Sequence, residues 1–153
     1  MNVRECAFRI LCESERSEKY ISLALDAFIS SHSVGGDDRA FLSVLVYGVT
    51  ERKLSLDYII SAFSGKKISS LDKEVVMLLR LGMYQILYLD KIPDSAAVNE
   101  TVKLASRYTS RSKNFINALL RRLCREKDSL PYPTDPLERL SVIHSLPKEL
   151  CLH

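Results

Sequence analysis

Apolar residues recur every three or four positions along most of the chain, the spacing that places side chains on one face of an α-helix. Apolar–polar alternation, which would indicate a β-strand, persists in no segment. Breaks fall at Gly35-Gly36, at Gly65 and before Pro93, and we expect Asp37 or Asp38 to cap the third helix. The pattern predicts an all-α fold, a compact bundle of about seven helices.

The segment from Leu71 to Leu89 differs from the others because apolar residues surround it on almost all sides. A helix with this pattern is buried on all sides, so we expect it to be the central helix of the bundle. Gly82 lies in its middle and costs about 1 kcal/mol of helix propensity relative to alanine. A close helix crossing at Gly82 would compensate for that cost.

The hydrophobic pattern also predicts how the chain is organised. Residues 1–128 contain the predicted helices and form one domain. Residues 129–136 contain Pro131, Pro133 and Pro136, which prevent a continuous helix and predict a stiff, extended linker. Residues 137–153 have too few apolar side chains for a core, and we expect them to be the truncated start of a following region.

Charge is unevenly placed, although the formal net charge is only +3. Acidic residues predominate from Glu13 to Asp38, whereas from Lys103 to Lys127 many basic residues accompany a single acid, Glu126. Spacing by four places several polar residues on one face of the seventh predicted helix: Lys113, Asn117, Arg121 and Arg125. Asn99, Lys103 and Arg107 follow the same spacing on the sixth helix, and Arg111 lies in the joining turn.

Two neighbouring helices with these faces would pool their cations into one patch. Such a patch binds phosphates by counterion release and without reading base sequence, which indicates a nucleic-acid partner. A solvated face that only keeps the protein in solution is the alternative. Asn117 either adds hydrogen bonds to RNA or has a structural role between helices.

Aromatic and sulfur side chains favour packing roles. Five tyrosines are candidate base-stacking platforms, but their helical spacing favours core or rim positions: Tyr47, Tyr58, Tyr84, Tyr88 and Tyr108. We expect Tyr20 and Tyr108 to be the exposed ones. The four cysteines show no CxxC spacing, so we interpret Cys6, Cys12 and Cys124 as small buried hydrophobes without a disulfide framework. Together with the lack of an apolar run that could span a bilayer, this predicts a cytoplasmic protein without membrane contact.

Signals for catalysis are weak. The sequence has no glycine-rich phosphate loop, and His32, His144 and His153 are too scattered for a metal site. Asp57 lies on an apolar helix, where a salt bridge or a cap is a better explanation than a catalytic base. No catalytic pair can be assigned, so this chain is not predicted to be an enzyme.

The run from Leu78 to Leu123 resembles the NusB-like all-helical RNA-binding domain, and the resemblance covers residues 2–127. The shared features are the following: Arg4-Glu5-Cys6-Ala7, the Leu79, Arg80 and Tyr84 pattern, Ala97-Val98-Asn99-Glu100, Leu104-Ala105, and Phe115 to Leu120. With this resemblance, we expect RNA to contact Arg4, Lys103, Arg107, Arg111, Lys113, Asn117, Arg121, Arg122 and Arg125.

Two subfamilies share this domain. The sequence is more similar to the N-terminal domain of Sun-type ribosomal RNA cytosine-C5 methyltransferases, through Val46-Tyr47-Gly48-Val49, Arg52 to Tyr58, Asn117 to Arg122, and His144 to Pro147 followed by Leu150. This resemblance implies ribosomal RNA, of the small subunit, and a C-terminal methyltransferase domain as partners. It also implies S-adenosylmethionine as cofactor of the parent enzyme and none in this chain, where the Pro-Cys nucleophile motif and the cofactor loop are absent.

Two alternatives stay open. One is a free-standing transcription antitermination factor that binds leader RNA with a ribosomal protein. Against it, the basic N-terminal arm of that factor is missing, with only Arg4 before the first helix, and Ser106 replaces a lysine common in the family. The other alternative is a module that docks on its own catalytic domain and makes little RNA contact. A homodimer is compatible with the resemblance.

Overall fold

The computed structural model describes residues 1–147, and over that range the protein is all-α. Eight α-helices follow one another in this order: α1 Val3–Ser17, α2 Ile21–Ser31, α3 Gly36–Glu51, α4 Lys53–Ser64, α5 Lys73–Tyr88, α6 Asp94–Tyr108, α7 Lys113–Glu126 and α8 Pro136–His144. Short 3-10 helices at Ile68–Ser70 and Ser110–Ser112 connect α4 to α5 and α6 to α7. The predicted all-α bundle is confirmed, with one helix more than the hydrophobic pattern indicated.

Helix α5 is the centre of the bundle, as predicted. Every side chain from residue 75 to residue 86 is buried, and the helix packs against α1, α3, α4, α6 and α7. At Gly82, an added Cβ would lie 3.0 Å from both methyl groups of Leu120 and from Oγ1 of Thr101. The close crossing expected at this glycine is therefore present, and it brings α6 and α7 against the middle of α5.

Arg80 and Gln85 are buried polar side chains of α5, and both have hydrogen-bond partners; Gln85 donates to the Leu81 carbonyl at 3.0 Å. Arg80 is 4% exposed, and its guanidinium donates to both carboxylate oxygens of Asp57 at 2.7 and 2.8 Å and to Glu15 at 3.0 Å. Burial opposes the charge of Arg80, but Asp57 and Glu15 outweigh that effect and raise its pKa. Asp57 therefore has the predicted salt-bridge role, which ties α4 to α5.

Helix α3 begins differently from the prediction. Its N-cap is Gly35, and no side chain caps it, so the expectation that Asp37 or Asp38 would be the N-cap is wrong. Both carboxylates lie in the first turn instead. There they favour the helix through its dipole, which explains why acidic residues follow this glycine turn.

The segment after α7 folds back onto the bundle. Pro131 and Pro133 lie outside any helix, whereas Pro136 is the first residue of α8 and Asp135 caps it by accepting from the Glu138 N–H at 2.9 Å. Helix α8 packs on α4, where the Ser55 hydroxyl donates to the Val142 carbonyl and the Leu54 N–H donates to Oγ of Ser145 at 3.1 Å.

This docking combines the buried Val142 with hydroxyl contacts, and an apolar pattern does not reveal hydroxyl contacts. The predicted domain boundaries at residues 128 and 136 stay predictions. Residues 148–153 of the predicted tail lie outside the described residues.

The cysteines of the described range are free thiols: Cys6 is buried, and Cys12 and Cys124 are half-buried. Burial and then the nearby Glu74 raise the pKa of Cys12 to about 12, so its thiol stays protonated. Cys151 lies outside the described residues. Within residues 1–147, no helix is both long and apolar enough to cross a membrane.

Candidate nucleic-acid interface

Helices α6 and α7 pack side by side and run in opposite directions. The 3-10 helix Ser110–Ser112 joins them at one end. At the other end, Nζ of Lys127 lies 2.8 Å from Oδ2 of Asp94, which links the end of α7 to the start of α6. Their outward faces are therefore neighbours, as the pooling of cations requires.

Six cations on these two helices and their turn are exposed. We call this set the α6–α7 ridge; it consists of Lys103, Arg107, Arg111, Lys113, Arg121 and Arg125. Among the ridge residues that pair with carboxylates, Arg111 and Lys103 are the most open, with side chains 83% and 74% exposed. A phosphate can reach such side chains without any rearrangement of the core.

Three ridge cations pair with carboxylates. Lys103 lies 3.4 Å from Glu100, and Arg111 lies 3.0 Å from Asp72. Exposed pairs of this kind contribute about 0–1 kcal/mol each, so a phosphate can replace the carboxylate at little cost. Lys113, Arg121 and Arg125 have no carboxylate partner among residues 1–147.

Arg107, the third paired cation, neutralises a buried acid. The Glu5 carboxylate, on a residue 5% exposed, accepts from Arg107 at 2.7 and 2.9 Å and from the Tyr108 hydroxyl at 2.7 Å. The Arg107 side chain still remains 66% exposed. Arg107 therefore stabilises the contact of α6 with α1 and keeps an outer face for a ligand.

Tyr108 is less open than the sequence indicated. It is half-buried, and its ring lies 4.8 Å from that of Phe8. Burial and then Glu5 raise its pKa, so the hydroxyl remains a donor. Tyr20, the other tyrosine expected to be exposed, is 81% exposed.

Arg9 is a basic residue that the sequence analysis missed. It lies on α1 and lines a 370 Å³ cavity together with Glu5, Arg107 and Tyr108. Its proximity to the ridge depends on the packing of α1 against α6, which helical spacing within one segment does not reveal. The basic surface therefore extends beyond the two helices on which it was predicted.

Arg4 and Arg122 have partners within the bundle. Nε of Arg4 donates to Oε1 of Gln85 at 2.6 Å, and burial, opposed by the charge of Glu100, lowers the pKa of Arg4. The Arg122 guanidinium lies 4.2 Å from the ring centroid of Phe63 on α4 and donates to Glu126 at 2.8 Å. Both arginines are half-buried and hold helices together.

Asn117 contacts the ridge from within α7. Its Oδ1 accepts from Nε of Arg121 at 3.1 Å, one helical turn away. This bond fixes the direction of the Arg121 guanidinium. This bond lies within α7 and is not the contact between helices considered for Asn117; its partner is a ridge cation.

Most of the candidate stacking tyrosines are partly or fully covered. Tyr84 is 9% exposed and packs on Gly48, whereas Tyr58 and Tyr88 are half-buried. Tyr47 is 43% exposed. No tyrosine of this group belongs to α6–α7 except Tyr108, so the ridge itself offers phosphate contacts rather than stacking.

Comparisons with known proteins give a consistent picture. The sequence profile described as the NusB family matches residues 1–125. The chain is 36% identical over 151 residues to the "Probable ribosomal RNA small subunit methyltransferase B" of Bacillus subtilis, in an alignment that covers 97% of this chain and 34% of that protein. It is 35% identical over 137 residues to the "Transcription antitermination protein NusB" of Ruminiclostridium cellulolyticum, covering 88% of this chain and 93% of that one.

The solved structure of Thermotoga maritima NusB has the same fold. It superposes with a TM-score of 0.74 at 24% identity, over 82% of this chain and 94% of that one. The chain spans only about a third of the length of the methyltransferase relatives, 34% for the B. subtilis protein and 29% for the Synechocystis one.

Proposed function

The chain belongs to the NusB family, and on that premise we propose that its α6–α7 ridge binds the phosphate backbone of RNA. The observation that carries this proposal is the exposure of six cations on two adjacent helices and the turn between them, three of them without a carboxylate partner among the described residues. Contacts of this kind fix the position of an RNA without reading its sequence.

We further propose that the domain serves a ribosomal RNA cytosine-C5 methyltransferase that acts on the small subunit. In that protein, this domain holds the RNA, and a separate part transfers the methyl group from S-adenosylmethionine. The support lies in α8: the family match ends at residue 125, whereas the alignment to the B. subtilis methyltransferase spans 97% of the chain and so includes Pro136–His144.

A transcription antitermination factor is the second candidate. It is favoured by the alignment to the R. cellulolyticum protein, which covers 93% of that relative at a nearly equal identity. In this case the ridge would bind leader RNA beside a ribosomal protein. Both candidates use the same phosphate contacts, so the RNA that is preferred distinguishes them.

The ridge is tested by charge reversal. We expect the Arg121→Glu/Arg125→Glu variant to lose at least about tenfold in affinity for a small-subunit ribosomal RNA fragment, because two phosphate contacts become repulsive. Fluorescence anisotropy at fixed salt measures this. The matched control is Arg16→Glu/Lys19→Glu, which changes the charge equally on exposed residues at the end of α1, and its affinity should fall much less. Equal losses in the two variants would exclude a specific role for the ridge.

Competition between two RNAs tests the choice of parent protein. A labelled small-subunit ribosomal RNA fragment is displaced either by unlabelled fragment or by a leader RNA with an antitermination element. We expect the ribosomal fragment to compete better. Tighter binding of the leader RNA would favour the antitermination factor instead.

A further inference from the structure

A second surface, at the far end of the bundle from the α6–α7 turn, brings two tyrosines and two arginines together. Tyr88 is the last residue of α5, and Arg52 joins α3 to α4. Tyr132 precedes α8, and Arg139 lies on α8. We call this surface the Tyr–Arg groove. Its residues come from three separate parts of the sequence, so only the folded chain assembles it.

The geometry of the groove combines aromatic faces with cations. Cζ of Arg52 lies 4.9 Å from the ring centroid of Tyr88, and Cζ of Arg139 lies 5.7 Å from that of Tyr132. Leu87 and Leu130 add apolar surface to the lining of the groove, which is an open depression of 410 Å³. Arg52 lies beside this lining, over the Tyr88 ring. The groove therefore has apolar, aromatic and cationic surfaces within reach of one ligand.

The two arginines are available for a ligand. The ion pairs found among residues 1–147 include neither Arg52 nor Arg139. Lys127 also lines the groove but pairs with Asp94 at 2.8 Å, and the Asp128 carboxylate lines it as well. Asp128 reduces the attraction for a phosphate inside the groove, which favours a ligand that has an aromatic ring as well as a negative charge.

Tyr132 is held close to the other three residues. Burial raises the pKa of its hydroxyl, the neighbouring Tyr88 raises it further, and Arg139 and Arg52 oppose the increase. Tyr132 is consequently neutral at physiological pH and half-buried, with its ring at the groove. A half-buried ring beside a guanidinium is the type of surface on which unpaired nucleic-acid bases stack.

We propose that the Tyr–Arg groove binds an unpaired base of single-stranded RNA, with the base stacked on Tyr132 and the flanking phosphates bound by Arg139 and Arg52. This inference rests on the proposed function, because it takes the partner to be RNA. The contact it proposes is separate from the ridge. Tyr132 and Arg139 lie after residue 125, where the family match ends. The groove therefore adds recognition of single strands to the phosphate binding of the ridge.

The test compares a single-stranded RNA with a duplex. The single-stranded probe is a short oligouridine that carries one 2-aminopurine, and the second probe is a blunt RNA duplex. We expect Tyr132→Ala and Arg139→Gln each to lower the affinity for the oligouridine about tenfold and to leave the affinity for the duplex unchanged. Binding to the original chain should also change the 2-aminopurine emission, because that base stacks.

Two control variants complete the experiment. Tyr132→Phe keeps the ring, and Tyr20→Ala removes a ring that is 81% exposed on another face; both should bind the oligouridine like the original chain. If Tyr132→Ala unfolds in a thermal melt, Arg139→Gln decides the result.

The inference is wrong if the original chain does not bind the oligouridine or if the groove variants bind it normally. It is also wrong if these variants lose affinity equally for the oligouridine and the duplex. Normal binding by these variants would mean that the groove residues instead hold the segment before α8 in place or contact another protein. If the ridge proposal is wrong instead, the result differs. Charge reversal at Arg121 and Arg125 then changes the affinity for neither probe, while Tyr132→Ala still lowers the affinity for the oligouridine alone.

Discussion

At the scale of single residues, close packing of the helices depends on two glycines. Gly48 on α3 is buried, and an added Cβ would lie 2.0 Å from Cζ of Tyr84. The ring of Tyr84 therefore packs against the backbone of α3. Gly82 likewise allows close packing where α5 crosses α6 and α7. Of these two sites, the sequence indicated only Gly82, because a glycine in the middle of an apolar helix lowers helix propensity and so calls for an explanation. The partner of Gly48 is distant in sequence, so nothing near Gly48 indicated the contact.

Gly48→Ala should destabilise the protein by about 1–3 kcal/mol, because the Tyr84 ring has to leave its position. Chemical denaturation followed by circular dichroism measures the change. Gly36→Ala is the control, since an added Cβ there meets nothing within 4 Å. The same Gly48→Ala change made together with Tyr84→Leu should cost much less. An equal cost with and without Tyr84 would show that the ring does not set the requirement for glycine.

The basic residues also show what helical spacing cannot predict at this scale. The pattern placed Lys113, Arg121 and Arg125 on one exposed face correctly, because spacing by four depends only on helix geometry. Arg4 and Arg122 have internal partners instead, Gln85 and Phe63, which belong to other helices. The sequence does not show which helices are neighbours, so it could indicate neither the internal partners of these two arginines nor the position of Arg9 beside Arg107.

At the scale of elements, α8 is held to α4 by hydroxyl groups. The N-cap of α4 is Arg52, whose side chain does not cap the helix, and Oγ of Ser145 accepts from the N–H of Leu54 instead. Ser145 has a positive φ of 54° and follows the end of α8. Ser145, directly after α8, therefore supplies the cap that the start of α4 lacks.

Removing this cap should cost about 1 kcal/mol, as expected for a lost helix N-cap. We expect Ser145→Ala to lower the free energy of unfolding by this amount and to speed hydrogen exchange at Leu54 and Ser55. Ser145→Gly should cost less, because glycine relieves the positive φ while it also lacks the hydroxyl. The exposed Ser33→Ala serves as control. Unchanged exchange at Leu54 in Ser145→Ala would contradict the capping role.

At this scale, the sequence predicted helix α5 but not helix α8. Helix α5 was predictable because apolar residues cover it on all sides, and burial follows directly from that pattern. Helix α8 was not, since it has only nine residues and its docking uses Ser55 and Ser145, which could equally have faced solvent.

At the scale of the whole molecule, two surfaces of different chemistry lie at separate places on one helical bundle. The α6–α7 ridge presents cations suited to a phosphate backbone, and the Tyr–Arg groove presents aromatic rings with two arginines. An RNA that contains both a helix and an unpaired segment could contact both. In our proposal, the domain orients such an RNA for the part of the parent protein that carries out methyl transfer.

The salt dependence of RNA affinity tests the central claim most directly. Each phosphate contact contributes about 0.7–0.9 to the slope of log affinity against log salt. We predict a steep slope for the original chain and a slope smaller by about 1.4–1.8 for Arg121→Gln/Arg125→Gln, whereas Arg16→Gln/Lys19→Gln keeps the original value. A slope near zero in the original chain, or one that the ridge variant leaves unchanged, would contradict phosphate binding by the ridge.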